Sequence, residues 1–433
     1  MIEQQPSCDD PRDTALMPVA EARARMAAAV RGIDIDAPGA SETLALDRLR
    51  DRVLAEAIVS PANVPPARNA AMDGYAIHAD SVPDAGETTL RVIGRALAGE
   101  RFSGLVNAGE AVRIFTGAEM PDGADTVVIQ EHAAVVGENE VRIDSRAVPG
   151  KNVRAAGEDV ALGEALFAPG RVLNAADIGV LASLGIRRCR VVRPLRVAVF
   201  TTGDELVTLT AHPEGTPLPP GKLFDSNRHV LAALLDSPAV ELIDLGVVAD
   251  TAEATLAAMQ EGSERADLVL SSGGVSTGDA DFVGRSLAAI GDVGFWRIAM
   301  RPGRPLAFGH VGDAVFFGLP GNPVAVMVTF LQFVRPAIAA LLGSPYLPAP
   351  VFPATAESSL RKTPGRVEYQ RGIMRIDEHG KVLVRSTGKQ GAGRLSSMSL
   401  ANCLIVIDAE VAAVAAGDRV GVQPFDGLLR GLP

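Results

Sequence analysis

Ser271-Ser272-Gly273-Gly274-Val275-Ser276-Thr277-Gly278-Asp279-Ala280-Asp281 follows the run Asp267 to Leu270, which reads as a buried strand, and precedes a predicted helix over 282–290. The order is strand, loop of glycines and hydroxyls, acids, helix. Glycines without a Cβ let a backbone approach a ligand closely, and successive N–H groups can form a concave anion site. The N-terminus of the following helix adds partial positive charge. Two carboxylates beside such a loop would repel a phosphate unless a divalent cation lay between them. The stretch therefore reads as a metal-assisted site for a phosphate-bearing or oxyanionic substrate.

Around it, from Leu195 to Gly343, strands and helices alternate. Strands are predicted at 195–200, 240–247, 266–271, 294–299, 305–309 and 314–317, and helices at 226–236, 251–261, 282–290 and 323–342. Asp250 and Glu253 stand in capping-box spacing before the second helix, and Gly262 is placed to stop it. This alternation implies an α/β domain, a doubly wound and mainly parallel sheet, over 193–343. Ligands on such sheets sit at the carboxyl ends of the strands.

The flanking sequence has a different texture. Helices are predicted over Pro18 to Arg31, over Leu44 to Ala57 (Leu46, Leu49, Val53 and Leu54 near helical spacing), and over Asn174 to Leu184. Between them, after the break Ser60-Pro61-Ala62-Asn63-Val64-Pro65-Pro66, the signal is β: 89–94, 111–116, 126–131 and 140–148. The expected organisation is a discontinuous helical domain over 14–60 and 150–192, interrupted by an inserted β domain over 61–149. Past Gly343-Ser344-Pro345, short strands at 366–376, 381–386, 402–407 and 418–423 predict a small β-barrel or sandwich over 344–433, taken as a C-terminal β-barrel domain.

At 433 residues the chain is too long for one hydrophobic core, which agrees with several domains. A net charge of −11 argues against a nucleic-acid surface, although a small anion could still bind in a locally basic pocket. Cys8, Cys189 and Cys403 have no short spacing, and the histidines are scattered, so no Cys/His zinc site is visible. No apolar run is read as reaching membrane-spanning length, and the start of the chain is unlike a signal peptide. The expected class is a cytoplasmic enzyme, with no nucleic acid and no membrane among its partners.

Candidate residues cluster where an open sheet would place a site. The strand at 195–200 runs into Thr201-Thr202-Gly203-Asp204-Glu205-Leu206, and Asp225-Ser226-Asn227 opens the next helix. Alone, Asp225 or Ser226 would be a helix cap and Glu205 a first-turn carboxylate. With Asp281, however, three acids fall after strand ends of one sheet, which favours a metal site with Glu205 and Asp225 as ligands. The Pro/Gly-rich stretch between Thr208 and Lys222 is either a mobile flap or an inert surface loop. Positive charge comes from Trp296-Arg297-Ile298-Ala299-Met300-Arg301-Pro302-Gly303-Arg304, where Arg301 and Arg304 flank a Pro-Gly turn as two guanidinium forks. Leu319-Pro320-Gly321-Asn322-Pro323 is explained by Asn322 as a cap with Pro323 at the first helical position. In the inserted domain, Asp73 and Tyr75 lie in one turn, and Phe115-Thr116-Gly117-Ala118 ends a strand. No Walker-type loop or nucleophile–base set is present, so metal-assisted positioning is favoured over covalent catalysis.

Together these fragments resemble the molybdopterin molybdenumtransferases, the MoeA and gephyrin E-domain family. The resemblance rests on AMDGYA (71–76), RIFTGA (113–118), GEDV (157–160), TTGDEL (201–206), FDSNR (224–228), SSGGVSTGDAD (271–281), RPGRP (301–305), LPGNPVA (319–325), EYQRG (368–372) and GRLSSMSLANC (393–403), in the family's order. It implies a four-domain homodimer whose site lies between the α/β domain of one subunit and the C-terminal domain of the other. It also implies the activity: adenylylated molybdopterin and molybdate are taken up, the adenylate is cleaved with Mg²⁺ or another divalent cation, and molybdenum cofactor and AMP are released. The upstream adenylyltransferase and molybdoenzyme chaperones are the implied protein partners.

Carried over by position, Asp73, Thr116, Asp159, Glu205, Asp225 and Asp281 match acids and hydroxyls of the family's site. Ser271, Ser272, Gly273, Gly274, Ser276 and Gly278 would hold pterin or phosphate groups. Arg297, Arg301 and Arg304 would meet phosphate or molybdate, Pro320 and Pro323 would shape the pocket floor, and Arg371 with Ser397 would complete an oxyanion pocket. The chain departs from the family in carrying arginine where lysines are common at 297, 301 and 304, and Ala325 where serine is frequent. Planar forks thereby replace point charges.

Overall fold

The computed structural model describes residues 16–273 and 291–425. These form two compact units. One holds the chain up to Ala55, Pro169–Asn174 and the chain from Arg190 onward; the other holds Glu56–Ala168 and Ala175–Cys189.

The larger unit is built on a six-stranded sheet in the order Val240–Val248, Leu195–Thr202, Leu268–Ser272, Ala314–Leu319, Pro305–Val311, Gly291–Arg297. The first four strands are parallel, and the last two add on antiparallel. Leu195–Thr202 and Leu268–Ser272 are buried along almost their whole length, as expected of strands covered on both faces. The α/β reading and its strand placements are therefore realised, and the predicted helix at 282–290 lies outside the described residues.

The helix after Asp250 departs from the sequence expectation in its cap and in its end. The helix after Asp250 spans Ala252–Arg265, and its cap is Thr251, whose hydroxyl accepts from the Ala254 N–H at 3.2 Å. Asp250 instead accepts from Thr202 Oγ1 at 3.0 Å. Gly262 does not end that helix. It lies inside it, where a Cβ would meet Val269 at 3.1 Å, so its smallness lets the helix lie close on the sheet.

The long apolar helix runs from Pro323 to Leu341, with a π-helical turn at Phe330–Val334. Pro336 follows that turn; the widened turn accommodates a ring that would clash with the carbonyl four residues earlier. This 19-residue helix has a mean hydropathy of 1.8 and is long and apolar enough to cross a membrane, contrary to the sequence expectation. However, 89% of its apolar 18-residue window is buried within the chain, as in a core helix.

No helix forms over 44–57 either. Ser41–Ala45 is a strand, Leu46–Arg48 a single 3₁₀ turn, and Asp51 adopts a left-handed φ of 60° that an α-helix cannot hold. Leu49, Val53 and Leu54 are buried as the spacing suggested, but Val53 and Leu54 form extended bridges to Val172 and Val191. Arg52 locks the path, donating to Glu42 at 2.7 Å and to the Val192 carbonyl at 2.8 Å.

In the same unit, the C-terminal strands close into a five-membered ring. Val367–Ile376 pairs with Val382–Ser386 and Cys403–Ile407; the latter pairs with Arg419–Pro424, which pairs with Phe352–Ala356, which returns to Val382–Ser386. The predicted barrel is thus a closed one. The smaller unit carries a six-stranded sheet in the order Thr126–Ile129, Gly74–Ile77, Glu110–Ile114, Glu87–Ala96, Glu140–Asp144, Ala133–Gly137.

Asp267 pins the start of its strand. It accepts from Arg193 at 2.7 Å and from Arg196 at 3.0 Å. Burial works to raise its pKa, but the bonds from Arg193 and Arg196 prevail and bring it down to about 2 from 3.8. A depressed carboxylate stabilises the fold above its unfolded pKa and loses that contribution as pH falls through the folded value. Asp267→Asn is therefore expected to cost about 2 kcal/mol at neutral pH and to flatten the loss of stability between pH ~4 and ~2. Urea unfolding as a function of pH measures both.

Candidate active site at the carboxyl end of the sheet

The parallel strands of the larger unit deliver four segments to one edge: Thr201–Glu205, Asp225–Arg228, Ser271–Gly273 and Pro320–Asn322. Asp225 is 2% exposed and sits at the N-cap of the Ser226–Leu234 helix. Its carboxylate accepts from Thr201 Oγ1 at 2.7 Å and from the backbone N–H and Nε of Arg228, both at 3.2 Å. Arg228 also donates to Asp244 at 2.7 Å. The capping reading of Asp225 is realised, and its contacts also tie the 201–205 turn to the helix.

Glu205 is exposed and folds back over Gly203, where a Cβ would lie 2.7 Å from Glu205 Oε2. Its backbone carbonyl accepts from Leu223 N–H at 2.8 Å, and the Asp225 N–H donates to the Val207 carbonyl at 3.0 Å. A short parallel ribbon, Leu206–Val207 with Leu223–Phe224, thus spaces the two acids and closes the base of the 208–222 loop.

These acids do not by themselves make a cation site. The Asp225 oxygens are already taken by a hydroxyl, an amide and a guanidinium, and Glu205 alone offers a free carboxylate. Among the described residues no three His, Cys, Asp or Glu side chains are grouped to hold a metal, whereas a hard divalent cation takes about six oxygens. Asp281, Gly274, Ser276 and Gly278 lie outside the described residues.

Ser271 and Ser272 are buried at the end of their strand. Ser272 Oγ donates to the Pro320 carbonyl at 3.1 Å and accepts from Asn227 Nδ2 at 2.9 Å. The same Asn227 amide donates to the Gly321 carbonyl at 2.7 Å. Gly273 has a φ of 96°, and its missing Cβ would fall 2.2 Å from the Thr202 carbonyl oxygen. Pro323 takes the first position of its helix behind this turn. Asn322 occupies the cap position but makes no side-chain capping bond.

The basic residues gather nearer the barrel. Met300–Arg301 adds a parallel edge to Val367–Glu368, and Arg301 reaches Glu368 at 3.4 Å. A cleft of about 450 Å³ opens there, lined by Arg301, Pro302, Arg361, Glu368, Arg371 and Gln390 among others. Arg371 is 1% exposed; its Nε donates to Ser397 Oγ at 3.0 Å and its Nη2 to the Gly391 carbonyl at 3.1 Å. Burial, reinforced by Arg301, lowers its pKa to about 10, so it stays charged at neutral pH. Arg297 ends the edge strand opposite Pro305, and the Arg304 carbonyl accepts from Ile298 N–H at 2.9 Å. The loop that Arg371 holds also touches the sheet end, since Val324 N–H donates to the Ala392 carbonyl at 3.1 Å.

In the smaller unit the structure brings Asp73 and Thr116 together. Asp73 Oδ1 accepts from the Thr116 N–H at 2.8 Å and its hydroxyl at 2.7 Å. Arg113 lies between the rings of Tyr75 and Phe115, 5.1 and 4.9 Å from their centroids. Asp159 is exposed in the same unit, its N–H bonded to the Val64 carbonyl at 3.0 Å. The Thr116 backbone bond, then its hydroxyl, and finally Arg113 hold the Asp73 carboxyl below the usual aspartate range. Asp73 is thus held as a carboxylate at neutral pH. Asp73→Asn is expected to slow turnover roughly 10- to 100-fold, the worth of one or two charge-assisted bonds. The acid limb of the pH–rate profile should stay where it is; a displaced limb would make Asp73 the titrating group.

Three family descriptions tile this chain: "MoeA N-terminal region (domain I and II)" over 17–185, "Probable molybdopterin binding domain" over 198–340 and "MoeA C-terminal region (domain IV)" over 353–425. The chain belongs to the MoeA family. A molybdopterin molybdenumtransferase of Haemophilus influenzae is 41% identical over 393 residues, covering 90% of this chain and 96% of the relative. One from Nostoc sp. is 35% identical, covering 89% of each. The crystal structure of a molybdopterin biosynthesis MoeA protein from Pyrococcus horikoshii matches with a TM-score of 0.79 at 27% identity, covering 95% of this chain and all of that one.

Sequence reasoning assigned no role to Thr201, Arg228 or Asn227, although all three lie inside motifs it singled out. Their role is to hold other site residues, and a linear motif does not display such contacts.

Proposed function

We propose that this protein is the transferase that inserts molybdenum into molybdopterin. It would take adenylylated molybdopterin and molybdate, cleave the adenylate and release molybdenum cofactor and AMP. The observation that carries the reading is the match of the whole 17–425 span to a family whose curated relatives are molybdopterin molybdenumtransferases. The geometry supports it in two places: a carboxyl-end sheet edge with a free carboxylate, and a basic cleft suited to an oxyanion.

In this reading Asp225 holds the 201–205 turn in place, and Glu205 presents its carboxylate to the substrate. Arg301, Arg304 and Arg297 neutralise phosphate or molybdate charge, and Arg371 with Ser397 sets the loop that closes the anion cleft. Asp73, Thr116 and Asp159 of the smaller unit, with Asp281 and the glycine–serine loop, complete the proposed residue set. A Mg²⁺ requirement, a homodimer that shares the site and a cytoplasmic location belong to the same reading. The described carboxylates do not fit a cation on their own.

The test is to incubate the purified protein with adenylylated molybdopterin, molybdate and Mg²⁺, and to follow AMP and molybdenum cofactor. Stoichiometric appearance of both is expected. Failure to release AMP or to form the cofactor would overturn the proposal.

A further inference from the structure

The EYQRG stretch brings Arg371 to the oxyanion cleft, and it brings a carboxylate to the same cleft. Glu368 lines the cleft together with Arg301, Arg361 and Arg371. An acid among arginines repels the ligand that the arginines attract, so its presence there calls for an account.

Glu368 and Gln370 lie two apart on the Val367–Ile376 strand and so share one face of it. Gln370 Nε2 donates to Glu368 Oε2 at 2.8 Å and to the Arg361 carbonyl at 3.1 Å, which fixes the carboxylate against the barrel wall. The second oxygen, Oε1, accepts from Arg301 Nη1 at 3.4 Å. The two partners differ in freedom: the Glu368 side chain is 7% exposed and that of Arg301 54%. The carboxylate is therefore held in place, whereas the guanidinium can turn from it towards an anion in the cleft. As a stabilising pair the two are poorly matched, since a half-exposed guanidinium adds little and burying the carboxylate is costly.

We propose that Glu368 sets the affinity of the cleft as a resident counter-anion: an entering oxyanion must win Arg301 from it, and the carboxylate takes Arg301 back when the anion leaves. The inference rests on the proposed function, in which this cleft receives molybdate or a phosphate. A cleft lined by the three arginines alone would hold a dianion tightly, and tight ground-state binding does not speed a transfer. With Glu368 in its wall, the cleft holds the anion loosely enough to hand it on.

The test uses tungstate and perrhenate, tetrahedral oxyanions of similar size that differ by one charge. Each is titrated calorimetrically into the full-length protein, in low-salt buffer without phosphate or sulfate. Glu368→Gln keeps the shape of the side chain and removes its charge. It is expected to bind tungstate about tenfold more tightly than wild type and perrhenate about threefold, because the Coulomb energy doubles with the charge of the ligand and the fold-change is thereby squared. Glu368→Met removes the charge without supplying an amide and should show the same pair of changes. Arg301→Gln should weaken tungstate binding about tenfold, which places the bound anion in this cleft. Unchanged or weaker tungstate binding in the folded Glu368 variants overturns the role of Glu368. An equal gain for the two anions does so too, since it marks a change of shape and not of charge, as does tungstate binding indifferent to Arg301→Gln. These outcomes leave the proposed activity standing, because AMP release measures it separately. Binding of neither anion by wild type overturns this inference together with the cleft as the anion site.

Discussion

Asp225→Ala is expected to abolish turnover and to lower the stability of the larger unit by about 3 kcal/mol, the low end of what removing one partner of a buried ion pair costs. The carboxylate is almost fully buried and collects three donors from two segments. Its loss frees the Thr201 hydroxyl, uncaps the Ser226–Leu234 helix and strips Arg228 of one of its two acids. Arg228 keeps the partly exposed Asp244 at 2.7 Å, which is why the cost should not reach the upper end. Catalysis should suffer more than stability. Thr201 starts the turn that aims Glu205, and Asn227, two residues on, braces Ser272 and Gly321. Urea unfolding gives the stability change, and AMP release at saturating substrate gives the rate. Near-normal turnover in a folded variant would remove Asp225 from the mechanism. Asp225→Asn separates holding from metal binding. A Mg²⁺ concentration for half-maximal rate within about twofold of wild type marks Asp225 as a holding residue, whereas a rise of tenfold or more marks it as a ligand.

The same residue shows how far the sequence could be read. An acid at the start of a helix after a strand end is legible as a cap and as a site acid, and the structure makes Asp225 the cap. The sequence could not show that Thr201 and Arg228 converge on it, because those contacts depend on register across the sheet. The parallel core was legible because strands buried on both faces are written as continuous apolar runs, as in Val197–Phe200 and Leu268–Leu270. The 44–57 segment misled because Leu46, Leu49, Val53 and Leu54 have helical spacing while the backbone turns at Asp51. Burial was read correctly there and conformation was not. Asp250 was obscured by a neighbour with the same chemistry: Thr251 caps equally well, which releases Asp250 to hold Thr202. The barrel strands were found, but their closure was not legible, since a closed ring and an open sandwich share one alternating pattern.

That Thr202 contact sets the largest effect expected from a single methyl group. Gly273→Ala should lower turnover at least ~100-fold while costing only ~2–4 kcal/mol of stability, the sum of a left-handed backbone penalty and local overpacking. The added Cβ would lie 2.2 Å from the Thr202 carbonyl oxygen and 3.3 Å from its Cγ2. Thr202 cannot retreat, because it is in register with Val248 in the parallel ladder and its hydroxyl is held by Asp250. The 273 backbone must therefore move, carrying the start of the glycine–serine loop away from Ser272 and the Leu319 carbonyl that accepts its N–H at 3.3 Å. Gly321→Ala is the matched control for the fold. Its Cβ meets nothing closer than Gly273 Cα at 3.9 Å, an ordinary contact, so unfolding should be close to wild type. Circular dichroism and urea unfolding report on the fold in both variants, and AMP release reports on the site. A Gly273→Ala protein that turned over normally would mean that the loop does not depend on its seat against Thr202.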